Sequence, residues 1–453
     1  MMPVNMTGII SAWFAVVYNS SRAGACRPGP GRHATARLFQ EEIALTPLWL
    51  IVFGVGTLLL RTGFAMQASG SLRAKNATSS VLRITADTAA AALVFWAFGA
   101  ALLFPGDNGW FNAKLLLHQP ADMAGVEFFH LTICLIGGAV ISGALAERVK
   151  FYVGVLATVV LAGVVVPITG HWVWYGWLHN LGFIDLGGAT VIHLSAAVFA
   201  AVGVAVVGAR AGKYNRDGSS NSIPGHALPM LGIGALLIFV GWFPYLLGCT
   251  ATHYQYGSDS TIAPGITAMN IMLAGAGGVV GGLVFSHFRY RKPDVFFTYS
   301  GLLAALVAIS PAAVAVSGIG AVSIGLVAGV IVPIAAVAVD MRARLDDPLG
   351  LIVIHGVGSI WGTLAAAFFV VLGPESGAVD HFRLLAVQAL GIVAVMVPTS
   401  IVAMIVFLGM KLLGNLRVPA ADETDGLDIG EHDLNSYPDF QQTTIKSYHM
   451  REA

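Results

Sequence analysis

The tripeptide Val-Ile-His occurs twice, at residues 191–193 and 353–355, each time deep inside an uncharged run. An ionisable side chain in a lipid-spanning segment is costly, so it is a functional candidate by default. A neutral imidazole has one donor and one acceptor. Two rings brought together, His193 and His355, could therefore satisfy each other and still offer edges to a small polar permeant. Two other readings fit the same residues: axial ligation of one haem, or structural rings satisfied in a packed interior. No nucleophile–base motif or phosphate loop accompanies the histidines, which argues against an enzyme. Cys26, Cys134 and Cys249 have neither metal-ligand nor disulfide spacing, so no metal or other cofactor is expected.

The segments that hold these residues are hydrophobic. Of 453 residues 56% are hydrophobic and only 11% charged, less than half the share usual in soluble domains. The formal net charge of zero gives no case for a nucleic-acid partner. The 54 glycines suit transmembrane helices that pack closely. Runs of about 20 apolar residues, enough to cross a bilayer, fall at 44–66, 81–105, 126–146, 151–175, 187–209, 228–249, 263–287, 297–316, 319–340, 350–372 and 383–413. The expected fold is all-α: a polytopic membrane protein of eleven transmembrane helices. His193 lies in the fifth span and His355 in the tenth. That placement fits an inverted repeat of five plus five helices with one extra, with the shared site near the bilayer midplane.

Alternate loops carry Arg73, Lys75 and Arg83; Arg148 and Lys150; Arg210, Lys213 and Arg216; Arg289, Arg291 and Lys292; and Arg342 and Arg344. The positive-inside rule makes those loops cytoplasmic, with the bundle's N-terminus outside and its C-terminus inside the cell membrane. Three regions are expected: an N-terminal segment 1–43, a transmembrane domain 44–413 and a cytoplasmic tail 414–453. Within the first, the apolar stretch 8–17 resembles a signal-peptide core but has no basic residue before it. Cleavage and an overlong gene start both fit.

The stretches GFAMQASGSLRAKNATS (63–79), ISGALAERVKF (141–151), DLGGATVIHLSAAV (185–198), GWFPYLLG (241–248), DDPLGLIVIHGVGSIWG (346–362) and GLDIGEHDLNSY (426–437) resemble, in order, signature segments of the ammonium transporter (Amt/Mep/Rh) family. The resemblance implies a homotrimer with one pore in each subunit and His193 and His355 as the twin histidines of that pore. It implies an outer ammonium site at Trp174, Phe129, Cys249 and Asp185, with an outer gate at Ile133 and Tyr245. The implied function is capture and deprotonation of ammonium, then passage of ammonia past the histidines. A PII-type (GlnK-like) regulator is an implied partner of the cytoplasmic face, where the acidic tail could alternatively be a solvated chain.

The physics of these positions can be stated without the family. An indole face attracts a cation, although tryptophan is also common at membrane interfaces. Asp185, ahead of Gly187-Gly188, reads first as a helix cap. Several positions depart from the family pattern. Ile133 and Tyr245 replace two phenylalanines, Cys249 replaces a serine, and Gly350 stands where an aspartate is expected. Glu127 and His130 flank Phe129, and Glu127 is a candidate for cation recruitment or else a solvated carboxylate. These departures keep open an alternative, an ammonium sensor of the same fold that conducts little. About 40 residues follow the last span, so a sensor would be expected to signal through a separate PII-type partner.

Overall fold

The computed structural model describes residues 32–253, 263–371 and 378–438, with side chains at 48–253, 263–371 and 380–438. The signal-like stretch 8–17 and the extension after residue 438 lie outside the described residues. The chain divides into two units, Met1–Leu48 and Trp49–Ala453. In the first, residues 32–47 are helical.

Among the described residues, ten helices are long and apolar enough to cross a membrane: α1 (Leu48–Ser71), α2 (Ala74–Leu103), α3 (Ala124–Ala144), α4 (Phe151–Asn180), α5 (Ala189–Val207), α6 (Leu228–His253), α7 (Ala263–Tyr290), α9 (Gly318–Ala343), α10 (Leu351–Phe369) and α11 (Asp380–Leu413). Between α7 and α9 lies a shorter apolar helix, α8 (Val295–Ile309). These eleven coincide with the expected spans, and their order is consistent with two five-helix halves plus one helix. Apolar side chains such as Val240, Met269, Val280, Ile401 and Ile405 are exposed along the helices, as a lipid-facing surface requires.

The expected span 297–316 ends early as a helix, at Ile309. Pro311 offers no N–H to continue the backbone ladder, and its ring crowds the carbonyl four residues back. At 1.5 Å per residue, α8 covers only about 22 Å. The interruption has a use: the freed carbonyls of Ser310 and Pro311 accept the N–H groups of Gly187 and Leu186, at 3.0 and 2.9 Å. The end of α8 thereby holds the turn that leads into α5.

Glycine lets α7, α8 and α9 approach until their backbones touch. A Cβ on Gly329 would lie 2.3 Å from the Gly278 carbonyl oxygen, and one on Gly278 would lie 2.3 Å from that of Gly301. No side chain fits at those crossings.

The basic end of the bundle is a buried network. Burial would raise the carboxyl of Asp346, but Arg210 donates to it through Nε and Nη2 at 2.8 Å each and holds it down to about 2. Glu147 likewise sits below its ordinary value despite burial, because Arg210 bonds it at 2.7 Å and Arg73 lies alongside. Arg148 is fully buried and donates to the carbonyls of Gly208, Ala146 and Asp346. Several arginines counted above as loop charges are thus internal struts.

The tail closes over this end. Glu423 accepts from Ala211 N at 2.6 Å and pairs with Arg417, while the Asn76 side chain receives Leu427 N at 2.8 Å. Asp428 accepts the N–H groups of Thr78 and Ser79 in the first turns of α2, and Glu431 accepts Phe151 N at the start of α4. Residues 417–437 are therefore docked onto the bundle.

Candidate functional site

One turn is built twice. In Asp185-Leu186-Gly187-Gly188 and in Asp347-Pro348-Leu349-Gly350, an aspartate precedes a left-handed glycine by three residues, with φ +72° at Gly188 and +71° at Gly350. A side chain at either glycine would be strained in that conformation. Each aspartate turns back to cap the helix it introduces. Asp185 accepts Ala189 N at 2.6 Å and Thr190 N at 2.8 Å, and Asp347 accepts Ile352 N at 2.6 Å. Burial raises both carboxyls, Asp347 to about 6, with the backbone donors working in the opposite sense. Asp347 stands eight residues before His355, as Asp185 stands eight before His193. Asp185 is a cap.

Five residues beyond each glycine stands a histidine. His193 lies in the opening turn of α5, which is π-helical over Ala189–Leu194, and His355 lies in the first turns of α10. Both are buried. Their Nδ1 atoms are 3.1 Å apart and their ring centroids 4.9 Å, inclined by 30°. Rings in such contact leave no room for a porphyrin between them. His193 also stacks on Trp242, 5.1 Å between centroids and 15° between planes, while Phe64 lies against His355.

Hydrogen-bond directions follow from what each partner can do. Tyr245 donates its hydroxyl to the Gly187 carbonyl oxygen, which can only accept. The Tyr245 oxygen is then free to accept from His193 Nε2, 3.4 Å away. With Nε2 carrying the proton, neutral His193 has a bare Nδ1, which accepts from His355 Nδ1–H. His355 Nε2 is left as a buried acceptor with no hydrogen-bond partner in the structure. The chain Gly187–Tyr245–His193–His355 therefore needs only neutral rings, and it ends on an open lone pair.

A second aromatic cluster forms around Trp174. Trp174 donates its indole N–H to the Asp185 carbonyl oxygen at 2.9 Å. Its ring is stacked with His253, centroids 4.2 Å apart and planes 17° apart. His253 Nε2 in turn meets His130 Nε2 at 2.9 Å. Phe129 is buried, packed so closely on Gly248 that a Cβ there would lie 2.1 Å from its ring. Cys249 is a buried free thiol, and Ile133 and Tyr245 are also fully buried. Glu127 is buried as well, with Oε2 unpaired, so it is not a solvated carboxylate. A depression open at the surface reaches Trp174, Asp185 and His253 from the side of Pro311 and Ser317.

The sequence reading singled out His130 without a partner and passed over His253. A histidine ending a helix resembles a favourable charge on the helix dipole. His253 lies beyond the expected span 228–249 and shares no motif with His130, so no sequence signal pairs them.

The Ammonium Transporter Family profile matches residues 48–437. Ammonium transporter Amt2 of Archaeoglobus fulgidus is 31% identical, over 88% of this chain and 89% of that protein. Ammonium transporter Amt2 of Haloferax mediterranei is 29% identical, over 87% and 90%. Among solved structures, one titled Sensor Amt Protein is 32% identical with a TM-score of 0.80, over 87% of this chain and 99% of that one. Saccharomyces cerevisiae Mep2, at 24% identity and a TM-score of 0.72 over 83% and 88%, shares the fold.

Proposed function

The chain belongs to the ammonium transporter family, and from that premise we propose that it moves ammonia through the bundle by way of His193 and His355. The observation that carries this reading is the buried, neutral chain from Gly187 through Tyr245 to His355, which ends in a free acceptor. An unpaired ion in such surroundings costs on the order of tens of kcal/mol before relaxation. Neutral ammonia escapes most of that cost and can donate an N–H to His355 Nε2. Ammonium is captured at the Trp174 mouth, loses its proton there, and the ammonia follows the histidines.

The basic end faces the cytoplasm in this reading, with the tail on that side. Three copies form the assembly by the family resemblance. A PII-type regulator would meet a docked tail whose Glu423, Asp428 and Glu431 already have internal partners. It would thus read a folded surface.

A second reading, an ammonium sensor with little conduction, is favoured by one contact. The Tyr245 hydroxyl takes up the Gly187 carbonyl and approaches the His193 edge, where a permeant would otherwise bond. The likeness to Sensor Amt Protein points the same way. Proteoliposomes on a solid support, given an ammonium jump with potassium as control, separate the two. A sustained ammonium current that disappears in His193→Ala/His355→Ala supports conduction through the pair. Binding of ammonium without current, and without alkalinisation of an internal dye, overturns conduction in favour of sensing.

A further inference from the structure

The two histidine pairs among the described residues differ in one decisive respect. In the inner pair every contact can be satisfied by neutral rings. In the outer pair it cannot. His130 Nδ1 lies 2.8 Å from the Val126 carbonyl oxygen, and His253 Nδ1 lies 2.9 Å from that of Leu186. A carbonyl only accepts, so both Nδ1 atoms carry their protons. Neutral rings would then present two bare Nε2 lone pairs to each other at 2.9 Å. That distance is a hydrogen bond, and it needs a proton between the two nitrogens.

We propose that His130 and His253 share one proton between their Nε2 atoms, and that this protonated pair is a built-in cation on Trp174 which ammonium must displace to enter the mouth. The inference rests on the reading of Trp174 as the outer ammonium site. His253 covers a face of that indole at 4.2 Å, the place a cation would take. Exchange balances simply. The pair releases its one proton to the outer solution, ammonium arrives with its charge, and net charge at the mouth is unchanged. The emptied pair offers two acceptors, and ammonium brings four N–H donors. Potassium has none, so it cannot replace the proton on equal terms.

The titratable groups around the pair are few; His130 is buried and His253 half-buried. Glu127 lies one helical turn from His130, with an unpaired oxygen. The Asp185 carboxylate is taken up by Ala189 and Thr190, and His171 Nδ1 by the Leu103 carbonyl. His179 lies toward His253, Tyr175 shares the ring of Phe104 with His130, and Cys249 is one turn before His253 on α6. Among the described residues none of these supplies an acceptor to either Nε2.

Two measurements on the full chain test this. Ammonium chloride is titrated by calorimetry in buffers of different ionisation heat, at several pH values. The expected result is release of about one proton per ammonium bound on the acid side, with half-saturation weakening about tenfold per pH unit. His253→Gln should lose both effects. Solid-state NMR of 15N-histidine protein should show a strongly downfield proton coupled to two ring nitrogens, absent in His130→Gln and His253→Gln. Ammonium binding with no proton released overturns the exchange even if transport currents are normal. A protein that binds no ammonium removes the outer-site reading along with the exchange. The NMR signal then decides whether the shared proton exists, and its absence in wild-type protein overturns the pair itself.

Discussion

Replacing Tyr245 by phenylalanine removes one oxygen and keeps the ring that fills the passage. That oxygen makes two contacts, a donated bond to Gly187 O and the 3.4 Å contact from His193 Nε2. The ring stands edge-on to His193, 6.1 Å between centroids. In the passage proposed above, from the Trp174 site to His193, the Tyr245 ring swings away and both contacts break. Neutral hydrogen bonds contribute roughly 0.5–1.5 kcal/mol each, and the longer one counts at the low end. The closed position is then held by about 1–2 kcal/mol, so its loss should raise the open population about 5- to 30-fold. The assay is the solid-supported ammonium current at saturating ammonium, normalised to reconstituted protein, with a thermal melt confirming that the variant is folded. The expected outcome is a current raised about tenfold that Tyr245→Phe/His355→Ala abolishes. If wild type conducts little, as a sensor would, the current should emerge in the variant. A folded variant whose current is unchanged or smaller would refute the idea that the hydroxyl latches the passage.

Two further outcomes follow from packing and charge. The folded-state carboxyl of Asp346 lies near 2, below an unfolded value of about 3.9, so its contribution is complete above pH 4 and disappears as pH falls toward 2. The shift corresponds to about 3 kcal/mol. Melting curves in detergent should show wild type well above Asp346→Asn at pH 5 and the gap closing toward pH 2; a constant gap would contradict the assignment. At the glycine crossing, Gly329→Ala forces a Cβ to 2.3 Å from the backbone of Gly278 and should destabilise by about 1–3 kcal/mol. Gly409→Ala, with nothing within 4 Å of its Cβ, should be neutral or slightly stabilising in the same melt.

The helices were legible because lipid demands long apolar runs, and nothing else in a chain resembles them. The length of α8 was less so, since hydropathy continues past Pro311 while the helix does not. The inner histidines could be read from their shared tripeptide. The fuller repeat, Asp185 and Asp347 each three residues before a left-handed glycine, stands in the same letters at the same 162-residue offset as the histidines. It was hidden because Pro348-Leu349 and Leu186-Gly187 share no residue in register. The His130–His253 pair was not legible. Its partners are 123 residues apart with no common motif, and only the packing of α3 on α6 brings them together. The direction of proton donation within either pair likewise depends on carbonyls that no sequence pattern names.

The buried arginines of the basic end have a consequence for biogenesis. While the chain is being inserted, Arg83, Arg148 and Arg210 have no partners, and as free cations they weigh on which way each hairpin threads. After folding the same three groups are 3%, 0% and 5% exposed and bonded to carbonyls and carboxylates. Of the loop cations that bias threading, these three are thus hidden from water in the finished protein, while Arg289, Arg291 and Lys292 stay exposed. Re-threading a hairpin would require their extraction from partners first, so the early decision becomes locked by the later one. Substitutions at these arginines should therefore scramble topology and stability together, and a topology map of such a variant reports on both.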